Sequence, residues 1–360
     1  MNHTIHYSIE QVQRAANAMG PMPHLEVLKK YLPEMLEAEI NHSFGAGAPA
    51  SNRFHACAFN METGSRLEGI KLYLQRHPKL RGMDIILASE LDNGMLRSGN
   101  LNVTRELASA LKMNYAYGVE FITGTAGKNG NGLGMHGNAI LSRFPLTHVS
   151  VVHLPIAYEW FNKPNDARLG MRNAVAAEIR FPGGPLVVCS VHLENRATPA
   201  ARDRQLRYLL DKIDQEYGKD ARVLMAGDLN TNTVDGDDDL HAWLPLEHHP
   251  EEQAYRMSHI GDYEPLLRTA VEYGYSYETS NLPGKTTRRK PMNDGSEIHL
   301  NLDWFLCRRL TGSQPARIQA IFDHCELDGG DAYVHLDGRV LSDHDLLTLT
   351  CELGAQAALA

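Results

Sequence analysis

Oxygen and imidazole side chains gather at the ends of apolar runs in this chain. Asn60 closes RFHACAFN, Glu90 closes DIILASE, His192 closes LVVCSVH, and Asp228 with Asn230 close ARVLMAGDLN. Asp303 lies within HLNLDWFLC, and Asp343 with His344 stand in LSDHD just before LLTLTC. Taken singly, an Asn or Asp after a strand is most often a turn former, and a His there a solvent-facing bystander. Jointly they point elsewhere, because side chains at the carboxyl ends of several strands can converge on one cleft. A carboxylate, an amide and two imidazoles suffice for hydrolysis of a phosphate ester. That reaction asks mainly for positioning, neutralisation of the nonbridging oxygens and an aligned water. Hard oxygen donors such as Glu90 and Asp343 select Mg2+ or Mn2+, and the lack of a Cys/His set argues against zinc.

Strands must carry these residues. From Arg53 onward, strand-like runs alternate with the helical runs SRLEGIKLYLQRH and VTRELASALK. Further on, GNAILSR, VVHLPI, NAVAAEIRF and PLVVCSVHL follow one another with few helices between, which predicts antiparallel pairing within a mixed sheet. Thr198 before Pro199, with Leu206, Leu209, Leu210 and Ile213 at three- and four-residue steps, predicts a helix ending near Gly218. The first fifty residues read as helical, SIEQVQRAANAM and then HLEVLKKYLPEMLEAEI broken near Pro33. The Gly/Ala/Pro/Ser stretch NHSFGAGAPASN then reads as a linker. The expected organisation is an N-terminal helical extension and linker over 1–50 and a catalytic α/β domain over 51–360.

The formal charge is −9, with 43% hydrophobic and 22% charged residues, the balance of a globular protein with a packed core. No apolar stretch has the length or flanks of a secretion signal or a membrane span. Cys57, Cys189, Cys307 and Cys351 sit in apolar runs with no C-x-x-C spacing, which predicts free thiols and a cytoplasmic location. The negative charge argues against holding nucleic acid by bulk attraction, while leaving room for a local basic channel. The acidic run VDGDDDL lacks the Gly and Glu placement of an EF-hand loop and reads as a solvated turn.

Seven stretches, taken together, resemble the endonuclease/exonuclease/phosphatase superfamily in order. They are Phe59–Asn60, Glu90 in ASELDNG, Gly134–Pro145 (GMHGNAILSRFP), Ser190–Leu193 (SVHL), Gly227–Asn230 (GDLN), Leu302–Phe305 (LDWF) and Ser342–His344 (SDH). That superfamily includes pancreatic deoxyribonuclease, exonuclease III, inositol polyphosphate 5-phosphatases and bacterial sphingomyelinases. The resemblance covers roughly Phe54 to Leu353. It implies a four-layer α/β sandwich, two packed mixed sheets flanked by helices, with the site across their upper edge. It further implies Glu90 as principal metal ligand, with Asn60 and Asp343 at the metal. Asp228 would orient or deprotonate water, Asn230 would hold that water or the phosphate, and His192 would donate to a phosphate oxygen. His344 would stand against the scissile phosphate, its tautomer held by Asp303. Arg172 matches an arginine that contacts phosphate in some members, and is otherwise a strand-edge charge. The phosphate-contacting tyrosine of the nuclease branch finds only Tyr117, or Tyr115, nearby, and either is equally a core-facing strand residue. The glutamine that often precedes the metal glutamate is Ser89 here, and Arg143 of the signature reads as a structural, salt-bridged strand end.

The expected activity is therefore metal-dependent hydrolysis of phosphate esters, on a phosphorylated small molecule, a lipid headgroup or nucleic acid, with no obligate protein partner in evidence. A nuclease acting on DNA or RNA is the alternative, supported locally by Lys285, Arg288, Arg289 and Lys290. Tyr158, Trp160 and Phe161 are either a membrane-touching loop or packed aromatics. A non-catalytic binding module would have lost some of the eight metal and imidazole positions, and none is missing.

Overall fold

Period-two alternation explains why the strand runs are apolar throughout. In RFHACAF, Ala56 and Ala58 face one hydrophobic cluster while Cys57 and Phe59 face another, so both faces are covered. The computed structural model describes residues 2–354 apart from 21, 46, 164–166, 232–249, 283, 285, 286, 292–294 and 296. The acidic run VDGDDDL and Lys285 lie outside the described residues.

The strands are β1 (Ala38–Asn41), β2 (Arg53–Thr63), β3 (Ile85–Asn93), β4 (Asn114–Thr123), β5 (Met135–Ser142), β6 (Thr147–His153), β7 (Arg168–Gly170) and β8 (Asn173–Phe181). They continue as β9 (Gly184–His192), β10 (Val223–Asp228), β11 (Tyr275–Ser276), β12 (Arg288–Pro291), β13 (Glu297–Leu300), β14 (Asp303–Arg308), β15 (Thr311–Ile318) and β16 (Leu346–Glu352). One sheet runs β1-β4-β5-β3-β2-β16-β15, with β7 paired to β4, and the other runs β11-β14-β10-β9-β8-β6. Each is mixed, because β2 pairs parallel to β3 and β9 parallel to β10 while their other neighbours are antiparallel. Between the sheets, Phe54, Ile85, Leu87 and Ile140 meet Val175, Val188, Leu224 and Phe305. Burying each large apolar side chain stabilises the fold by about 1.5–3 kcal/mol.

Helices cover the outer faces. Helices α1 (Ile9–Ala18), α2 (His24–Tyr31), α3 (Leu67–Arg76) and α4 (Val103–Leu111) pack on the first sheet, and α5 (Pro199–Tyr217) with the helix Leu266–Glu272 on the second. The result is the expected four-layer order. Helix α5 begins as its sequence predicts, Thr198 accepting from the Ala201 amide ahead of Pro199, and stops at Gly218.

The N-terminal fifty residues depart from an all-helical reading. After a 3-10 turn at Pro33–Leu36, residues Ala38–Asn41 form a strand paired with Tyr115–Gly118. Pro33 cannot continue the helix, and buried Glu39 accepts from the Tyr115 hydroxyl at 2.6 Å and from Asn102 at 2.8 Å, tying the strand into the sheet edge. Trp160 is a packed aromatic, 5% exposed, its Nε1 donating to Glu194. Arg143 is structural as expected, but its guanidinium donates to the Met83 and Arg81 carbonyls rather than to a carboxylate. Cys57, Cys189, Cys307 and Cys351 are buried free thiols. No helix among the described residues is long and apolar enough to cross a membrane.

Candidate active site

Strand β2 runs parallel to β3 in one sheet and β9 parallel to β10 in the other, and their carboxyl ends bring Asn60, Glu90, His192 and Asp228 together at one edge of the sandwich. Two local irregularities aim them. At Glu90 the pairing of β3 with both neighbours shifts register, and Glu90 itself has φ 58°, a conformation that costs a non-glycine residue about 1–3 kcal/mol. At Gly227, with φ 146°, an added Cβ would lie 2.0 Å from the Val191 carbonyl oxygen, so β9 and β10 approach closely only through glycine.

Asp228 is the hub. Its Oδ2 accepts from Asn60 Nδ2 at 3.0 Å and lies 3.6 Å from His192 Nε2 and 3.8 Å from His344 Nε2. Its Oδ1 accepts from the Asn230 amide at 2.9 Å, and Asn230 in turn donates its side-chain amide to the Leu193 carbonyl. His344 Nδ1 is 2.9 Å from Asp303 Oδ2, and both residues are buried. Burial opposes a charge on His344, but Asp303, Asp343 and Asp228 outweigh it and push its pKa up to about 10. These three carboxylates thus favour the imidazolium, the form that can donate to a phosphate oxygen.

Glu90 is 27% exposed and accepts no hydrogen bond among the described residues; His192 Nε2 stands 3.9 Å from its Oε1. Burial would raise its pKa, yet His192, His136, His344 and Arg172 hold the carboxyl well below the usual range. An ionised carboxylate without a hydrogen-bond donor fits a hard divalent cation. Asp343 is nearby, its Oδ1 3.9 Å from His344 Nε2, and is gripped through Oδ2 by Arg288 at 2.9 Å. Asn60 is committed at both ends, to Asp228 and to the Glu62 amide, so that in this arrangement it holds Asp228. Among the described residues, Asp228, Asp303 and His344 also present ligand atoms within 4.8 Å of one another.

Arg172 joins the cluster from the start of β8. Its guanidinium is 5% exposed and reaches Glu120 at 3.2 Å, Glu194 at 3.3 Å and His192 Nδ1 at 2.9 Å. Arg172 is therefore no strand-edge surface charge. His192 is raised from its ordinary value: burial and Arg172 oppose its charge, but Glu120 and Asp228 prevail.

Tyr117 does not join them. Alternation along β4 turns Tyr115, Tyr117 and Val119 toward the helical layer, where the Tyr117 hydroxyl donates to the Leu91 carbonyl at 3.2 Å. The same alternation sends Glu120 to the cleft, fully buried against Arg172 and Asn138, and sequence reasoning passed over it. Its one signal was a lone carboxylate inside the apolar run YAYGVEFIT. Also missed was the pairing of two cations in the basic run, Arg288 with Asp343 and Arg289 with Asp345.

The family model described as Endonuclease/Exonuclease/phosphatase family matches residues 57–242. A comparison with curated proteins found no match. Among solved structures, an endonuclease/exonuclease/phosphatase from Beutenbergia cavernae is similar at 18% identity, with 85% of this chain and 73% of that one covered and a TM-score of 0.52. One from Bacteroides vulgatus is similar at 13% identity, covering 84% and 99%, with a TM-score of 0.50. The catalytic domain of human nocturnin with a bound sulfate anion is similar at 14% identity, covering 84% and 94%, also at 0.50. At these identities the likeness is one of fold, and with the family match over half its length the chain belongs to the endonuclease/exonuclease/phosphatase family.

Proposed function

We propose that this protein is a divalent-metal-dependent hydrolase of phosphate esters. One observation carries it: Asp228 stands between Asn60, His192 and His344, beside a Glu90 carboxylate without a donor. Glu90 with Asp343 would hold Mg2+ or Mn2+, which when bound would neutralise phosphoryl oxygens and polarise the phosphorus, while Asn60 holds Asp228 in place. Asp228 takes the proton of the attacking water, and Asn230 fixes the loop that orients it. His192 and His344 donate to nonbridging oxygens, and Asp303 holds the His344 tautomer. The sulfate on the nocturnin domain supports a fold suited to tetrahedral oxyanions. Two of the four cations behind a nuclease reading are spent in ion pairs, so a compact or terminal phosphoester is favoured over internal sites in long polyanions.

The test is hydrolysis of bis(4-nitrophenyl) phosphate with Mg2+ or Mn2+, before and after exhaustive chelation. Chelation should abolish turnover, and Asp228→Asn should lower kcat by at least ~10²-fold, the scale of a general-base contribution. Full activity in the chelated enzyme would remove the metal from the mechanism, and a fully active Asp228→Asn would remove the base.

A further inference from the structure

Sheet order sets the cleft residues in a row. His344 and Asp303, beside β16 and on β14, come first; Asn60 and Asp228 follow on β2 and β10, then Glu90 and His192 on β3 and β9. The next strand of the first sheet is β5, packed opposite β8 and β9. Its second residue, His136, pairs directly with Asp92 of β3 and is 7% exposed.

Three donors are spent behind this one imidazole. Arg97 grips Asp92 through Nε at 2.7 Å and Nη2 at 2.9 Å, and the Ser98 hydroxyl adds a contact at 3.3 Å. Asp92 is fully buried, and its Oδ1 lies 2.8 Å from His136 Nδ1. A carboxylate so clamped accepts, so Nδ1 carries the hydrogen and the ring is fixed in orientation, as Asp303 fixes His344. Nε2, on the far edge of the ring, has no hydrogen bond among the described residues and is not sealed from solvent. In the sheet β5 lies on the side of β3 away from β2, so His136 stands on the flank of Glu90 opposite Asn60 and its partner Asp228, and its charge acts on both Glu90 and Glu120. On that flank Arg172 and Glu120 are already bonded to each other, and Asn138 to Glu120 and Asn173.

Attack on phosphorus is in line, so the attacking and leaving oxygens stand on opposite sides of the phosphorus. With Asp228 at one side of Glu90, the leaving oxygen departs toward His136. We propose that His136 is a further catalytic residue, the acid that protonates the leaving group, with Asp92 and Arg97 as its positioning residues. This rests on the phosphoesterase reading above. As the water oxygen bonds to phosphorus, Asp228 takes one of its protons. The ester P–O bond breaks with its electron pair on the leaving oxygen, which takes the Nε2 proton of His136. The imidazole is left neutral with Nδ1–H on Asp92 and regains a proton from solvent while Asp228 releases its own to solvent, so that the net change is water added across one P–O bond.

An acid is needed most where the leaving group is poorest. The test is a series of aryl methyl phosphates running from 4-nitrophenyl to phenyl, with Mn2+. His136→Gln should slow the phenyl ester by about 10²-fold in kcat and the 4-nitrophenyl ester by no more than about 3-fold, steepening the dependence on the leaving group. Asp92→Asn, which frees the ring without removing it, should steepen the dependence in the same sense and by less. Equal losses along the series in His136→Gln, with native circular dichroism, would reduce His136 to a structural part, and an unchanged series would remove it altogether. Should wild type hydrolyse no ester in the series with any divalent metal, the phosphoesterase reading fails instead, ahead of any role for His136.

Discussion

Replacing Arg172 separates an ion-pair keystone from a simple phosphate-binding arm. In Arg172→Met the aliphatic volume stays, but Glu120, fully buried, loses the guanidinium 3.2 Å away, and Glu194, 2% exposed, loses its contact at 3.3 Å. Stranding buried carboxylates in this way costs about 3–5 kcal/mol. The titration of Glu120 leads to a similar figure. Burial would raise its pKa, yet His192 and Arg172 bring it from 4.5 to about 2, and a shift of that size corresponds to about 3 kcal/mol. A carboxylate with a depressed folded pKa contributes stability above its unfolded value and loses it as pH falls through the folded one. Wild type should therefore weaken between about pH 4.5 and 2, and Arg172→Met should show a flatter acid limb over the same range. Urea unfolding at pH 7 should place Arg172→Met about 3 kcal/mol or more below wild type. The double variant Arg172→Met/Glu120→Gln should recover at least about 1 kcal/mol, because the stranded charge is gone. If Arg172→Met unfolded within 1 kcal/mol of wild type and lost only affinity for substrate, the keystone reading would be refuted.

Two further outcomes follow from burial. Tyr117→Phe should leave kcat and KM for bis(4-nitrophenyl) phosphate within about 2-fold and cost about 1 kcal/mol in unfolding, since its hydroxyl is given to the Leu91 carbonyl; a collapse of KM would return Tyr117 to the phosphate. His153 has both ring nitrogens covered with no well-formed hydrogen bond among the described residues, and burial outweighs the Leu36 backbone and Glu120 to lower its pKa to about 4. Because the unfolded chain takes that proton first, stability should decline from about pH 6.5 to 4, by up to about 3 kcal/mol. His153→Met should flatten the unfolding profile in this window, and an unchanged slope would clear His153 of the effect.

The sequence alone determined the strand-end residues and their sandwich. Asn60, Glu90, His192 and Asp228 each end an apolar run, and the resemblance of their motifs to the endonuclease/exonuclease/phosphatase superfamily implied the sandwich in which those carboxyl ends meet near one edge. The start of α5 was equally local, written in Thr198 and Pro199. Facing and register were decided by the tertiary structure. Tyr117 and Glu120 lie three apart on one strand, and only the packing of β4 against β8 settled which turned inward. Residues 38–41 became a strand because an edge and the Tyr115 hydroxyl were waiting for them, neither visible from AEIN itself. Asp92 faces His136 through the register of β3 and β5 across a bulge, and Arg288 reaches Asp343 across 55 positions of chain. Long-range pairs of this kind carry no periodicity, since each exists only once the sheet has brought distant residues to bonding distance.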